Sequence, residues 1–417
     1  MLRFLHVADP HLDSPLEGLA AREDAPTALI RSATRRAFEN MVQLAIAERV
    51  SFIVIAGDLY DRDWRDYSTG LFFKAQMLQL QRHGIPVYLI AGNHDAASVI
   101  TRRLSLPENV HSFSTRTTET KEVPGTPVVI HGRGFPDRAV TENLALEYPH
   151  ALPGRFNIGL LHTSLTGSPE HDSYAPCSVA DLISRGYDYW ALGHIHQPTV
   201  ISENPWIVFA GNCQGRHARE CGPRGCRLVS VGDQLAVKAV DWHDLDVMRW
   251  EQITINIPGL TTEAEVEQAL ASALRTAVNS AGGRLLAARL IFHGATSLHY
   301  DFHRHPEKWS ATAISTALEF GSDAVWLEKI VFRTGPVIDP ATLAQRDSLT
   351  ASLLADLATA AARPLSLPED CTDMLALLPG DLRADLLRDT APENRAALMA
   401  DVQAIILASL ATKGADS

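Results

Sequence analysis

The sequence predicts an α/β protein in which β-sheets are flanked by helices, followed by a small α+β domain and a helical C-terminal tail. Three observations lead to this fold class. The 417 residues are 46% hydrophobic and 21% charged, which is typical of a globular chain of two or three domains. Short apolar runs alternate with helical stretches in the first half. These runs are continuously apolar, as expected for strands buried on both faces of a sheet.

The first half of the chain alternates predicted strands and helices. Apolar runs predict strands at residues 2–8, 51–56, 85–91, 128–131, 156–161, 187–192 and 206–210. A helical periodicity of apolar residues predicts helices over residues 27–50 and 68–83. Gly57 and Gly92 directly follow two of the strands and mark turns there. Gly232 and Asp233 predict the turn of a later hairpin.

The second half has a different pattern. Strands are predicted at residues 250–257, 285–293 and 324–333, with a helix over residues 261–279 between the first two. Beyond Gly335-Pro336 the chain is rich in Ala and Leu, is helical in pattern and is interrupted by prolines. The predicted domains are therefore residues 1–245, 246–335 and 336–417.

The charge distribution directs attention to the first half. The chain has 37 basic and 49 acidic residues, for a net charge of −12, which argues against a protein that coats nucleic acid by bulk electrostatics. Residues 1–243 hold 23 basic and 26 acidic residues, whereas residues 244–417 hold 14 and 23. Thirteen of the 17 histidines also lie in residues 1–243. We therefore look for chemistry in that half.

The sequence predicts a cytoplasmic protein. Five cysteines are an odd number at low density, which argues against a disulfide framework. The apolar run at the N-terminus is too short and too soon charged for a signal peptide. We see no apolar run that approaches the length of a membrane span, so no membrane association is expected.

Short polar clusters follow the predicted strands. They are Asp9-Pro10-His11, Gly57-Asp58, Gly92-Asn93-His94-Asp95, His162 and Gly193-His194-Ile195-His196. Ligands of open α/β sheets collect at the carboxyl ends of the strands, so these five clusters are expected to meet there. Each cluster alone is a weak signal, but five in this order predict a metal site. Asp, His and Asn side chains together suit Mn²⁺, Fe²⁺ or Zn²⁺ better than Ca²⁺.

This ordered series resembles the calcineurin-like metallophosphoesterases. Within that family, the runs Asp172-x-Tyr174 and Gly211-Asn212-x-Gln214-Gly215-Arg216 resemble the bacterial DNA-repair exonuclease group, which includes the SbcD and YhaO-type nuclease subunits. The resemblance is specific over residues 1–245 and looser over residues 246–335. It implies a layered metallophosphoesterase core with a capping, DNA-selecting α+β domain.

The resemblance also implies a function and a ligand set. It implies a two-metal-dependent DNA nuclease of the exonuclease type that hydrolyses phosphodiester bonds in DNA repair. Mn²⁺ is the expected ion, with Fe²⁺, Zn²⁺ and Mg²⁺ as alternatives. One ion would be held by Asp9, His11, Asp58 and His196, and the other by Asp58, Asn93, His162 and His194. The two oxygens of one carboxylate can touch both ions, and Asp58 is expected in that bridging place.

Other residues receive expected roles around the ions. His94 would face the phosphate and either stabilise it or protonate the leaving oxygen, and Asp95 would orient the His94 imidazole. Arg216, Arg219 and Tyr174 are expected to contact DNA. Asp61 stands where archaeal and eukaryotic relatives often have a histidine, which leaves the polarity of digestion open.

The implied partners are DNA, a second copy of this chain through the nuclease domain, and an SMC-like ATPase of the SbcC or YhaN type that docks on the C-terminal region. Two alternatives remain open at this point. The same chemistry could serve a phosphodiesterase or phosphatase with a substrate other than DNA. The chain could also be an architectural subunit whose hydrolysis is latent until the ATPase binds.

Overall fold

A computed structural model describes residues 2–14, 26–61, 67–96, 105–165, 174–337 and 348–362, with the short pairs 374–375, 398–399 and 402–403. Contacts divide the chain into two compact units, Met1–Trp250 and Glu251–Ser417. Among the helices within these ranges, none is both long enough and apolar enough to cross a membrane.

The first unit contains two six-stranded sheets. In chain order its strands are β1 (Leu2–Val7), β2 (Phe52–Ala56), β3 (Val87–Ile90), β4 (Val110–Ser112), β5 (Glu119–Glu122), β6 (Val128–Gly132), β7 (Phe156–His162), β8 (Tyr189–Gly193), β9 (Thr199–Glu203), β10 (Trp206–Phe209), β11 (Gly225–Val231) and β12 (Val237–Asp244). The first sheet has the order β12-β11-β1-β2-β3-β4, and the second has the order β5-β6-β7-β8-β10-β9. The central strands of both sheets run parallel, so their carboxyl ends share an edge.

The two sheets pack face to face and helices cover their outer faces. Phe4, Phe52 and Phe156 lie between the sheets, with the Phe4 and Phe52 rings stacked at 4.9 Å. Alternate residues of the first sheet face α1 (Thr27–Ala47) and α2 (Tyr67–Arg82). A 3₁₀ turn (Leu144–Glu147) and α4 (Val179–Ser184) cover the second sheet. The prediction of sheets flanked by helices is confirmed.

Three strands were not predicted from the sequence, and all three lie at or beside a sheet edge. β5 is the polar run Glu119–Glu122, β9 has only exposed and half-buried side chains, and β4 has only three residues. These segments bury little apolar surface of their own, because pairing with a neighbouring strand supplies most of their stability. The four-residue helix α3 (Asn93–Ala96) also escaped the sequence pattern.

The second unit is built on a three-stranded sheet in the order β13-β14-β15, formed by Met248–Asn256, Leu285–Ala295 and Val325–Gly335. Helices α5 (Glu263–Ala281), α6 (His299–Arg304) and α7 (Pro306–Leu318) join the sheet around one apolar core. Thr262 and Glu265 form a capping box at the start of α5, and Gly282 ends it in the left-handed conformation. Of the predicted helical tail, the structure describes α8 (Ser348–Ala362), residues 336–337 and the three short pairs given above, and the rest lies outside the described residues.

Candidate metal centre

The carboxyl edge of the first unit brings the predicted polar clusters together. Asp9 and Asp58 each follow a parallel strand by two residues, His162 ends β7, and His194 follows β8 directly. The φ angles are +47° at Asp9, +49° at Asp58, +93° at His194 and +43° at His11. Positive φ is unfavourable for side chains other than Gly and is concentrated at functional sites. The backbone is therefore held in tight turns that direct these side chains to one place.

Three glycines permit this close approach. A Cβ atom on Gly92 would lie 2.2 Å from Oδ1 of Asp58, and one on Gly57 would lie 2.5 Å from Nδ1 of His162. A Cβ atom on Gly193 would lie 1.9 Å from the carbonyl oxygen of Ala56. These distances are too short for any side chain, so the glycines of the sequence clusters are a steric requirement of the site.

The first group of donor atoms comes from Asp9, His11 and His196, whose candidate ligand atoms lie within 4.8 Å of one another. The Nε2 atoms of His11 and His196 are 3.2 Å apart. His196 Nδ1 lies 2.7 Å from Oε1 of Glu220, which can accept its proton and leave a lone pair on Nε2. The backbone N–H of His194 donates to both oxygens of Asp9, at 3.1 and 3.0 Å. These contacts fix donors that could hold one cation.

The second group comes from Asp9, Asp58 and His162. His162 Nδ1 donates to the Ala56 carbonyl at 2.9 Å, which fixes the ring and leaves a lone pair on Nε2. That Nε2 lies 2.9 Å from Oδ1 of Asn93 and 3.5 Å from Oδ2 of Asp58. An acceptor nitrogen that faces oxygen acceptors is the arrangement of a cation site.

Asp58 belongs to the surroundings of both groups. Its Oδ2 lies 3.7 Å from His11 Nε2 and 3.5 Å from His162 Nε2, and its Oδ1 accepts from the backbone N–H of His94. The donor set therefore fits divalent cations, with Asp58 placed where one carboxylate can serve two of them. The imidazole of His194 lies 5.1 Å from that of His162, measured between ring centroids.

Burial perturbs the titration of these groups. Burial, followed by the charge of nearby Asp58, raises the pKa of Asp9 well above its usual range. Burial also raises the pKa of Asp58, and it lowers the pKa of His162 to about 4. Buried carboxylates this close together disfavour each other's charge, and a cation between them would compensate it.

His94 is positioned by a different carboxylate from the one predicted. Asp61 Oδ1 lies 2.7 Å from His94 Nδ1. The carboxylate of Asp95 instead accepts three backbone N–H groups, from Leu59, Tyr60 and Gly92, at 2.9 to 3.1 Å. The expectation that Asp95 orients His94 is therefore wrong. Adjacent residues of a helix point in different directions, so Asp95 faces the loop after β2 and not its neighbour.

Asp61 is enclosed by donors. Ser14 Oγ donates to its Oδ2 at 2.6 Å, and Arg216 Nη1 lies 3.5 Å from the same oxygen. Burial alone would raise the pKa of Asp61, but hydrogen bonds from His11 and His94 hold it well below its usual range. The same hydrogen bond overcomes the effect of burial on His94 and raises its pKa. His94 also falls in a group with His11 and Asp58 whose candidate ligand atoms are within 4.8 Å of one another.

The three predicted DNA contacts have different surroundings. Arg216 lies at the centre, with its guanidinium 3.5 Å from Glu220 and 3.4 Å from His196 Nδ1. The Tyr174 ring lies 5.2 Å from the ring of His194. Arg219 is exposed on the loop that follows Arg216.

Glu220 escaped the sequence analysis. It is buried and its carboxylate accepts from His196, from the Asn212 side chain and from the backbone N–H of Arg216, at 2.7 to 2.8 Å. Glu220 comes eight residues after Asn212, in a loop without a periodic apolar pattern. Its position in the sequence therefore did not mark it as a candidate site residue.

The fold and this cluster define a metallophosphoesterase. Residues 2–198 match the calcineurin-like phosphoesterase model, and this part of the chain belongs to that family. Residues 250–335 match the middle domain of the metallophosphoesterase YhaO.

Two curated relatives and one solved structure are similar to this chain. The metallophosphoesterase YhaO of Bacillus subtilis is 39% identical over 275 residues, which are 64% of this chain and 65% of the relative. The DNA double-strand break repair protein Mre11 of Methanopyrus kandleri is 28% identical over 217 residues, 48% of this chain and 45% of the relative. The chain thus spans less than two thirds of the length of each. The crystal structure of TT1561 of Thermus thermophilus superposes with a TM-score of 0.35 at 16% identity, over 58% of this chain and 99% of that one.

Proposed function

We propose that this protein is a two-metal-dependent DNA nuclease that hydrolyses phosphodiester bonds in DNA repair. The observation that carries the proposal is the convergence of lone pairs at the carboxyl edge. His162 Nε2 faces the oxygens of Asn93 and Asp58, and the Nε2 atoms of His11 and His196 face each other at 3.2 Å. Cations between these atoms would accept their lone pairs, which otherwise repel one another.

The two proposed ions share Asp58. Asp9, His11, Asp58 and His196 would hold one, and Asp58, Asn93, His162 and His194 would hold the other. When bound, two such ions neutralise charge on the phosphoryl oxygens and make a water nucleophilic at neutral pH. Mn²⁺ is the expected ion because the donors mix carboxylate, amide and imidazole.

His94 acts on the phosphate in this proposal. Asp61 holds its Nδ1, so Nε2 is the atom that remains to meet the substrate, and the side chain is 22% exposed. A proton on Nε2 could stabilise a phosphoryl oxygen or pass to the leaving oxygen. The raised pKa of His94 favours its protonated form in either role. Arg216, 14% exposed beside it, adds a positive charge to the same place.

DNA as the substrate is supported by the likeness to Mre11, which is described as a DNA double-strand break repair protein. The test incubates the purified protein with Mn²⁺ on linear double-stranded, single-stranded and hairpin DNA, with a bis-aryl phosphodiester alongside. DNA cleavage that is lost in Asp58→Ala and His94→Ala supports the nuclease. Hydrolysis of the aryl ester without DNA cleavage would reject DNA as a substrate of the chain acting alone.

A homodimer through the nuclease domain is part of the proposal. Helix α2 presents Tyr67, Leu71 and Leu78 to solvent on the face opposite its buried residues, with Leu71 58% exposed. Exposed apolar side chains spaced along one helix face are typical of an interface. Light scattering of the wild type and of Leu71→Glu tests it: a dimer that Leu71→Glu converts to a monomer is expected.

The SMC-like ATPase is proposed to bind the C-terminal region through helices that include α8. Eight of the 15 residues of α8 are Ala or Thr and four are Leu, which suits packing against a partner helix. Deletion of residues 336–417 is expected to abolish co-purification with such an ATPase and to leave aryl phosphodiester hydrolysis intact.

A further inference from the structure

A buried histidine outside the predicted ligand set joins the two sheets of the first unit. His6 lies on β1, and the alternation of the strand directs it to the same side as Phe4 and Ala8, which face the second sheet. The side chain is fully buried. Its Nε2 lies 3.2 Å from the carbonyl oxygen of Leu192, and its Nδ1 lies 3.0 Å from the hydroxyl of Tyr189. One imidazole therefore makes two hydrogen bonds to β8 in the opposite sheet.

The direction of both hydrogen bonds follows from their partners. A carbonyl oxygen only accepts, so Nε2 of His6 carries the proton and donates it to Leu192. Burial lowers the pKa of His6 to about 3, so the ring is neutral near neutral pH and keeps a lone pair on Nδ1. That lone pair accepts from the Tyr189 hydroxyl. Both nitrogens are engaged with β8, and no lone pair of His6 is left to hold an ion.

The two hydrogen bonds lie close in the chain to the candidate metal ligands. His6 comes three residues before Asp9 in the first sheet, and Leu192 comes two residues before His194 in the second. The backbone N–H of His194 donates to both carboxylate oxygens of Asp9. The contact between these two ligand-bearing turns is therefore accompanied by a second connection, from His6 to β8, between the strands that lead into them.

His162 makes a similar connection in the opposite direction. Its Nδ1 donates from β7 of the second sheet to the carbonyl oxygen of Ala56, which ends β2 of the first sheet. The other nitrogen of His162 faces Asn93 and is a candidate metal donor. His6 also donates to a carbonyl oxygen of the opposite sheet, but its second nitrogen accepts from Tyr189. The two histidines thus share a structural contact and differ in whether a nitrogen remains for an ion.

We propose that His6 is a positioning residue for the metal centre. Its hydrogen bonds hold the ends of β1 and β8 together and so fix Asp9 relative to His194. This inference rests on the metal binding in the proposed function and adds a residue that acts without touching an ion. Asp9 is an expected ligand of one ion and His194 of the other, so separation of the strands should weaken both. Apolar contacts are not directional, whereas two hydrogen bonds to one ring define its orientation.

His131 offers a matched control for a substitution of His6. It is fully buried on β6, with Nδ1 2.8 Å from Thr120 Oγ1 and Nε2 3.1 Å from Asn157 Oδ1. Thr120 and Asn157 lie on β5 and β7, in the same sheet as His131. His6→Phe and His131→Phe each remove two buried hydrogen bonds and keep an aromatic ring. Only His6→Phe removes a connection between the sheets.

The affinity for Mn²⁺, measured by titration calorimetry on the full-length protein, tests the proposal. Residues that orient metal ligands typically contribute 10–100-fold to metal affinity, so we expect about 10–100-fold weaker binding in His6→Phe and a change below about twofold in His131→Phe. Chemical denaturation of the metal-free variants should show similar losses of stability, so that stability alone does not explain the contrast. Equal Mn²⁺ affinities in the two variants would overturn the proposal.

A measurement on the intact site covers the case in which His6→Phe does not fold. In metal-free protein with isotope-labelled histidine, NMR should show a protonated Nε2 and an acceptor Nδ1 for His6. Tyr189→Phe should shift the Nδ1 signal, which also assigns it. Addition of Zn²⁺, which is diamagnetic, should leave the tautomer of His6 unchanged. A proton on Nδ1, or coordination of Zn²⁺ by His6, would reject the positioning role.

These outcomes are distinct from those of the nuclease test. If the variants show the expected contrast in Mn²⁺ affinity but the wild type cleaves no DNA, DNA as the substrate is rejected and the role of His6 stands. If the wild type cleaves DNA and both variants bind Mn²⁺ equally, the role of His6 is rejected and the nuclease stands. A wild-type protein that binds no Mn²⁺ would reject both.

Discussion

In the first unit, β1, β2 and β8 are each followed within two residues by an acid or imidazole side chain, and β7 ends in one. In the second unit, the parallel strands β14 and β15 end at Ala295 and Gly335. The polar residue that follows β14 is Thr296, which is neither an acid nor a histidine. All the candidate donor clusters found in the described ranges lie in the first unit. Both units present the carboxyl ends of parallel strands at an edge, so such an edge is not enough for a candidate metal site. The difference lies in the donor side chains that follow the strands of the first unit.

The two units also differ in what their polar residues do. At the carboxyl edge of the first unit, polar side chains are buried, close together and set on strained backbone. On the sheet of the second unit, Gln252, Thr254 and Asn256 are exposed and alternate along β13 with residues of the apolar core. Substitutions should therefore change chemistry in the first unit and stability in the second.

The largest effect is expected from Asp58→Ala. Because Asp58 lies between both donor groups, its loss should remove tight binding of both ions and lower hydrolysis by at least about 10³–10⁴-fold. Metal content by mass spectrometry and aryl phosphodiester rates measure it, with Asp137→Ala at an exposed position as the control. Two ions still bound to Asp58→Ala would contradict the bridging position.

His94→Ala should separate catalysis from metal binding. The variant is expected to keep both ions and to lose about 10²–10⁴-fold in hydrolysis, because it removes the donor that faces the phosphate. The metal content and the rate are measured on the same preparation. A rate near that of the wild type would reject the role of His94, and loss of an ion would make His94 a ligand.

Asp61→Asn tests whether Asp61 positions the imidazole of His94. Without the carboxylate on Nδ1, the imidazole loses its orientation and its raised pKa, and we expect about 10–100-fold slower hydrolysis with the ions retained. In a His94→Ala background the same change should have little further effect, because Asp61 would act through His94. A full additional loss in that background would show that Asp61 acts independently of His94.

The smallest effect is expected in the second unit, from Thr262→Ala. This change removes the side-chain cap of α5 and should cost about 1 kcal/mol in the free energy of unfolding, with aryl phosphodiester hydrolysis unchanged. Chemical denaturation measures the cost, and Thr262→Ser, which keeps the hydroxyl, is the matched control. A change in the hydrolysis rate as large as that of Asp61→Asn would remove the contrast between the two units.

The sequence predicted the parts of the site that follow strands. Asp9, Asp58, His162 and His194 each come within two residues of the end of an apolar run, and such runs identify strand ends without knowledge of the tertiary fold. The alternation of strand and helix likewise predicted the layered core. The candidate metal ligands that the sequence predicted are therefore those that stand at the ends of predicted strands.

Contacts made across the fold could not be predicted in the same way. Asp61 meets His94 from a loop 33 positions earlier, and Glu220 meets His196 from a loop 24 positions later. Nothing local distinguishes either carboxylate from a solvated turn residue. Asp95 was wrongly expected to orient His94 because the two residues are neighbours in the sequence. Adjacent side chains of a helix point in different directions. Edge strands such as β5 were missed because they bury little apolar surface.

Glu220 ties three segments of the site together. Its carboxylate accepts hydrogen bonds from His196, from the side chain of Asn212 and from the backbone N–H of Arg216. Replacement of this one side chain would therefore deprive all three donors of an acceptor at once, and buried donors without an acceptor are costly. The position of the His196 ring and the path of the loop that carries Arg216 thus depend on the same carboxylate.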